Sequence, residues 1–201
     1  MRDRVDILVC GVGGQGVLLL AEVLGTAALR DGLDARVSEI HGMAQRGGSV
    51  VCHVRVGQGP IYAPTIMDGS ADVLLALEPV EALRSLRFAG PQTLALVSTR
   101  TIRPTMVSLG LAKYPGLEEI RRALEEACAR TIFVDALRLA EEAGSPLAQN
   151  MVMAGALHAT GRYPASREAL LEAIGELVPP RYVEINLKAF ELGERAVKAG
   201  A

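Results

Sequence analysis

The apolar and polar positions of this chain fall into two rhythms that alternate along its first two thirds. Residues 5–10 are apolar apart from Asp6, as expected for a strand covered on both faces of a parallel sheet. Residues 14–30 have helical composition and stop at Asp31-Gly32. Residues 33–40 read as a second strand. In 49–56 the pattern has period two: Val50, Cys52, Val54 and Val56 share one face, and Ser49, Val51, His53 and Arg55 share the other. Gly57-Gln58-Gly59-Pro60 then turns the chain. A buried strand at 71–77, a short helix at 79–87 and a strand at 93–98 follow. Over 117–130, Leu117, Ile120, Leu124 and Ala127 lie on one helical face. A strand at 131–134 ends at Asp135, and the last third reads as helices only, at 137–143, 150–160, 166–175 and 183–199. Strands alternating with helices specify an α/β fold. We expect one three-layer α/β/α domain over residues 1–201, with a mainly parallel or mixed central sheet and a helical C-terminal third.

Two glycine-rich turns stand out against this frame, each following a predicted strand. The first, Gly11-Val12-Gly13-Gly14-Gln15-Gly16, opens into a helix. Its glycines at 11, 13 and 16 fit G-x-G-x-x-G, and Glu39 falls near the end of the second strand, where a ribose-binding acid would sit. The same glycines would also serve a different anion or close packing of helix on strand. Gln15 places a long polar amide inside the turn, which a standard dinucleotide site does not need. The second turn, His41-Gly42-Met43-Ala44-Gln45-Arg46-Gly47-Gly48-Ser49, brings an imidazole, an amide and a guanidinium among three glycines. Arg46 offers a planar fork of donors for carboxylate or phosphate, and Gly47 and Gly48 let backbone N–H groups approach the same anion. The alternative is a surface loop with an exposed arginine. Two such turns at one end of neighbouring strands would make one site.

Composition narrows the function. Half of the 201 residues are apolar and 22% are charged, which excludes a disordered chain. A net charge of −2 with 3% aromatics and no Trp offers neither a basic face nor stacking platforms, so no nucleic-acid partner is expected. No apolar run reaches the roughly 18 residues of a membrane span. Met-Arg-Asp-Arg leads into a strand rather than a signal-peptide core, so no membrane partner and a cytoplasmic location are expected. Cys10, Cys52 and Cys128 are widely spaced without a C-x-x-C pair, which excludes a Cys₄ iron–sulfur cluster or structural zinc from this chain alone. His41, His53 and His158 show no metal-ligand spacing, so no metal site is expected.

GVGGQGVLLLAEVLG together with SEIHGMAQRGGSVVCHVRVG resembles the gamma-type subunit of 2-oxoacid:ferredoxin oxidoreductases. The resemblance continues through IYAPTIMDGSADVLLALEPVEALR, Val134-Asp135-Ala136, Asn150-Met-Val-Met-Ala-Gly-Ala156 and VEINLKAFELG, and so covers nearly the whole chain. The H-G-M-A-Q-R-G-G form of the second loop is similar to the indolepyruvate branch. The resemblance implies a heteromeric enzyme that oxidatively decarboxylates an aryl 2-oxoacid, passing the acyl group to coenzyme A and the electrons to ferredoxin. It implies that thiamine diphosphate and the [4Fe-4S] clusters belong to a larger alpha subunit, with this chain shaping the substrate and coenzyme A region beside it. Carbanion stabilisation after decarboxylation needs an electron sink that side chains cannot supply, and the chain carries no G-D-G…N-N thiamine motif. A lone chain is therefore expected to be inert.

Gly11, Gly13, Gly14, Gln15 and Gly16 match the family's first turn, and His41, Gln45, Arg46, Gly47 and Gly48 its second. These loops are expected to line the partner's active site, with Arg46 on an anionic group. His41 is the one candidate proton carrier, a positional hydrogen-bonding role being the alternative. The remaining candidates read as structural: the three cysteines as small core residues, Asn150 as a helix N-cap, Asp135 as a cap or crevice residue. His53 and Arg55 are expected on a solvated or interface-facing strand surface, an extension of the site being the alternative. Met151 and Met153, with Ala154, Gly155 and Ala156, suit a helix in close packing. Two other classes stay open: a self-sufficient NAD(P)- or flavin-binding protein using Gly11–Gly16, and a homo-oligomeric regulatory or scaffold protein.

Overall fold

The computed structural model describes residues 4–42 and 47–199. Six strands form one sheet: β1 (Arg4–Val12), β2 (Asp34–His41), β3 (Ser49–Gly57), β4 (Val73–Ala76), β5 (Leu94–Ser98) and β6 (Arg130–Val134), in the order β2-β3-β1-β4-β5-β6. The pairings of β1 with β4, β4 with β5 and β5 with β6 are parallel, while β3 pairs antiparallel with both β1 and β2. The sheet is therefore mixed, with β3 running against the other five strands. The helices are α1 (Val17–Arg30), α2 (Pro79–Arg84), α3 (Thr105–Ser108), α4 (Leu117–Ala127), α5 (Ala136–Ala143), α6 (Gln149–Ala159), α7 (Arg167–Leu177) and α8 (Val183–Lys198). Short 3₁₀ turns at Leu86–Phe88, Pro146–Ala148 and Pro180–Tyr182, and helix α3, carry too little periodicity to be read in advance.

Side chains alternate along β1 and so feed two cores. Ile7 and Val9, with Val50, Cys52, Val54 and Val56 of β3, pack against α1, α5, α6, α7 and α8. Leu8 and Cys10 point the other way, against α2, α4, Ile66 and Phe88. Helices thus cover both faces of the sheet at β4 and β5, which is why those strands read as nearly unbroken apolar runs. Helix α6 is buried at every position from Gln149 to Leu157. A helix without a solvent face has no polar stripe, and its packing is set by small residues instead. At Gly155 a Cβ would stand 1.9 Å from the Phe190 carbonyl oxygen, and at Gly193 of α8 one would stand 1.9 Å from the Val152 carbonyl oxygen. The two helix backbones touch at reciprocal glycines.

The expectation that His53 and Arg55 lie on a solvated or interface-facing surface is overturned. Both are buried, beneath an irregular strap formed by residues 58–72. Arg55 makes a bidentate pair with Asp6 (Nε–Oδ1 2.9 Å, Nη2–Oδ2 3.1 Å), and its Nη1 donates to the carbonyls of Ala63 (2.8 Å) and Thr65 (2.9 Å). A buried guanidinium needs both a counter-charge and partners for its remaining N–H groups, and here the strap supplies the second. Ile66 N–H donates to His53 Nδ1 at 3.1 Å, which makes the imidazole neutral with its proton on Nε2. Period-two patterning could not reveal this, because a strap without regular structure covers the face where a helix would ordinarily lie. Among the described residues no helix is long and apolar enough to cross a membrane.

Two outcomes follow from this packing. Gly193→Ala, or Gly155→Ala, must push two helix backbones apart and should destabilise the protein by about 1–3 kcal/mol in urea unfolding; an unchanged midpoint would contradict the reciprocal contact. Burial, then the charges of Arg87 and Arg55, hold the His53 imidazole below its ordinary value of 6.5. The unfolded chain therefore takes up this proton first as pH falls. The stability contributed by neutral His53 is complete above about pH 6.5 and is lost below it. His53→Asn, whose amide oxygen can accept from Ile66, should flatten the decline in unfolding free energy between about pH 7 and 5; parallel pH curves for variant and wild type would rule this out.

Candidate functional site

The C-terminal ends of β1 and β4 carry the first glycine turn. Gly11 is buried within β1, and the chain turns at 13–16. Gln15 is 4% exposed and folds its amide back into the hollow of the turn. Its Oε1 accepts from Val12 N–H at 2.8 Å, and its Nε2 donates to the Leu77 carbonyl at 2.7 Å. The side chain so ties the end of β1 to the chain leaving β4. Gly16 is the N-cap residue of α1 at φ +77°, and a Cβ there would stand 2.4 Å from Asn150 Nδ2. Conformation and space both demand glycine. Asn150 is not the N-cap expected for it: Ala148 holds that position of α6. Instead Asn150 is buried, with Nδ2 donating to the Gly16 carbonyl at 3.3 Å. Asp135 does cap α5, accepting from Arg138 N–H at 3.2 Å.

The second turn closes onto the first. Gly13 N–H donates to the Gly48 carbonyl at 2.8 Å, and Gly47 N–H donates to the Gly13 carbonyl at 3.4 Å. His41 ends β2 opposite Val50. Gln45 and Arg46 lie outside the described residues. Ser49, where β3 begins, donates from Oγ to Glu81 Oε2 at 2.5 Å. The described ends of the two turns, Gly13 and Gly47-Gly48, therefore lie side by side on one rim, although the strands they follow are not neighbours: β3 stands between β1 and β2.

Two buried acids behind this rim were not anticipated. Glu78 is the N-cap residue of α2: its Oε2 accepts from Glu81 N–H at 3.0 Å, while its Oε1 accepts from Ile102 N–H (3.1 Å) and Tyr114 Oη (2.5 Å). Glu81 pairs through Oε1 with Arg84 Nη1 at 2.7 Å. Burial and the adjoining Glu78 push the Tyr114 phenol up, out of reach of ionisation near neutrality. The sequence signal was Pro79 at the first helical position, flanked by acids three residues apart after a buried strand. Burial also pushes the Cys10 thiol up to about 12, against a hydrogen bond from Ser85, and raises Cys52 to about 12 and Cys128 as well. Such thiols stay protonated and are not nucleophiles.

This rim differs from a dinucleotide cradle in two respects. The N–H groups of Val12, Gly13 and Gln15 donate within the protein, to Gln15, Gly48 and Val12. A pyrophosphate at a helix N-terminus requires such groups. In addition, β3 lies between β1 and β2, so Glu39 pairs with Cys52 and is separated from Val9 by a full strand. A ribose-binding acid belongs on the strand beside β1. Beside the first turn lies a cleft of about 260 Å³ lined by Gly14, Gly16, Leu147, Asn150, Tyr182 and Asn186 among others.

Comparison with known proteins agrees with this architecture. The family model for pyruvate ferredoxin/flavodoxin oxidoreductase matches residues 6–196. Indolepyruvate oxidoreductase subunit IorB of Pyrococcus horikoshii is 46% identical over 194 residues, covering 96% of each chain. The gamma subunit of the keto/oxoacid ferredoxin oxidoreductase from Geobacter sulfurreducens is 28% identical, with a TM-score of 0.69 over 97% of this chain and 99% of that one. The fold also recurs in the 2-oxoglutarate:ferredoxin oxidoreductase of Magnetococcus marinus, solved with 2-oxoglutarate, coenzyme A and succinyl-CoA bound. There the TM-score is 0.73 at 20% identity, over 99% of this chain and 32% of that one. A six-stranded mixed sheet, a rim of two joined glycine turns and similarity over nearly the full length lead to one conclusion: the chain belongs to the pyruvate ferredoxin/flavodoxin oxidoreductase family, as a gamma-type subunit of the 2-oxoacid:ferredoxin oxidoreductases.

Proposed function

We propose that this chain serves an enzyme converting an aryl 2-oxoacid such as indolepyruvate, with coenzyme A and oxidised ferredoxin, to the acyl-CoA, carbon dioxide and reduced ferredoxin. The observation that carries this reading is the 46% identity, over 96% of both chains, to an indolepyruvate oxidoreductase subunit. In this reading residues 1–201 act as one gamma-type domain in the cytoplasm, and a larger alpha subunit holds thiamine diphosphate and the [4Fe-4S] clusters. The described residues of this chain offer no ligand set for those clusters. Among the described residues no three His, Cys, Asp or Glu side chains converge as metal ligands, and the three cysteines are buried. No redox step is therefore assigned to this chain, and alone it is expected to be inactive.

Its own contribution is binding and shape. The rim made by Gly11, Gly13, Gly14, Gln15 and Gly16 with His41, Gln45, Arg46, Gly47 and Gly48 faces the alpha subunit in this proposal. Gly14 (φ +101°) and Gly47 (φ +77°) have open space where a Cβ would lie, so an anionic group can approach the backbone at either turn. Arg46 holds that anion, an oxoacid carboxylate or a coenzyme A phosphate, and His41 orients a neighbouring group by hydrogen bonding. The dinucleotide-binding alternative is disfavoured by the amides already engaged in the first turn.

In the reconstituted two-subunit enzyme, Arg46→Ala should lower kcat/KM for arylpyruvate-dependent ferredoxin reduction by about 10–100-fold, the worth of a charge-assisted hydrogen bond, while the subunits still co-elute. Unchanged kinetics would refute the assignment of Arg46. Tight flavin or NAD(P)H binding by the isolated chain would favour the dinucleotide reading over the whole proposal.

A further inference from the structure

The second glycine loop leaves β2, an edge strand, and re-enters the sheet at Ser49. How Gly47 and Gly48 sit against the first turn depends on what holds that point of re-entry. Ser49 pairs with Val12 in the β1–β3 ladder, and its hydroxyl donates to Glu81 at 2.5 Å. Glu81 is 2% exposed. Keeping a carboxylate in so dry a place costs free energy unless its oxygens are engaged, and both are, one by Ser49 and the other by Arg84. Glu81 is itself immobilised, because Glu78 accepts from its backbone N–H while Ile102 and Tyr114 hold Glu78 from the far side. The chain thus runs from a fixed helix turn, through one short hydrogen bond to an anionic acceptor, to the residue next to Gly48. Gly48 in turn receives Gly13 N–H at 2.8 Å.

We infer that Glu81 is a positioning residue: by holding Ser49 it fixes Gly47 and Gly48 against the first glycine turn, and so sets where that stretch of backbone meets an anion. A hydrogen bond to a charged acceptor is directional as well as strong, which suits it to fix a loop rather than merely to stabilise the fold. The inference rests on the proposed function for what the loop binds, but not for what Glu81 does to the loop.

The test uses the two-subunit enzyme and three variants, Ser49→Ala, Glu81→Ala and Ser49→Thr. Two readouts are taken: KM and kcat for coenzyme A and for the aryl 2-oxoacid, and amide hydrogen exchange of the peptide spanning 41–50. Ser49→Ala and Glu81→Ala should each raise the KM of one anionic substrate about tenfold while kcat stays within about twofold. Exchange in 41–50 should quicken without change in the β4–β5 peptides. Ser49→Thr, which keeps the hydroxyl, should restore both. If Ser49→Ala leaves exchange and KM at wild-type values, the inference is wrong. It is equally wrong if kcat and thermal stability fall together with KM unmoved, because that is the signature of a purely structural bond. Should the wild-type complex turn over no 2-oxoacid at all, the proposed function fails, and the exchange comparison alone still decides the role of Glu81.

Discussion

The antiparallel insertion of β3 between β1 and β2 is the constraint on which the rest of this structure depends. In a parallel βαβ unit the second strand lies directly beside the first, and the crevice above them is open to a ligand. Here the hairpin return of β3 fills that place, so the loop joining β2 to β3 arrives at the same sheet end as the turn leaving β1. Once the two are adjacent, their backbones satisfy each other, Gly13 with Gly48 and Gly47 with Gly13. A motif that in isolation suggests a nucleotide cradle becomes half of a two-loop rim.

What holds the rim is polar chemistry taken out of water. Gln15, Asn150, Glu78 and Glu81 are all nearly inaccessible, and each one joins elements far apart in sequence or fixes a helix start. Such groups are costly to bury unless satisfied, and they specify one arrangement because few others satisfy them. The apolar cores behave differently. Ala, Leu, Val and Ile side chains make up most of them, and the glycine contact between α6 and α8 fixes how closely those two helices pack.

The sequence carried the fold well where periodicity reflects a two-sided environment. Largely apolar runs located β1, β4 and β5, helical composition located α1, and an apolar helical face located α4, within a few residues of the observed ends. Gln15 was visible as an anomaly in its turn, though not as the peg that fills it. The pattern was silent where cover came from irregular chain. Alternation put His53 and Arg55 on a polar face correctly, but nothing local to β3 could show that residues 58–72 would lie over it. Glu78 and Glu81 escaped notice for a related reason. Their partners Ser49, Ile102 and Tyr114 are 32, 24 and 36 positions away, beyond the reach of any local motif. Asn150 was misread because a polar residue at a helix start serves equally as a cap or as a tether, and only the neighbouring backbone decides.

The strap over β3 has one further implication, for how the length of this chain can vary. Its hold on the sheet is a series of fixed points: Ile61 N–H on Asp34, the Ala63 and Thr65 carbonyls on Arg55, and Ile66 N–H on His53. Between Gly57 and Ile61 the chain is a free-running bend with no such anchor described, whereas from 61 to 66 the anchors recur every one or two residues. An added residue at 58–60 would lengthen the bend and leave each contact in place. The same residue added between 63 and 66 would shift the strap out of step with a buried guanidinium that has only one set of carbonyls to meet. This irregular segment therefore has a register as strict as that of a strand, set by three side chains, Asp34, Arg55 and His53, rather than by a ladder.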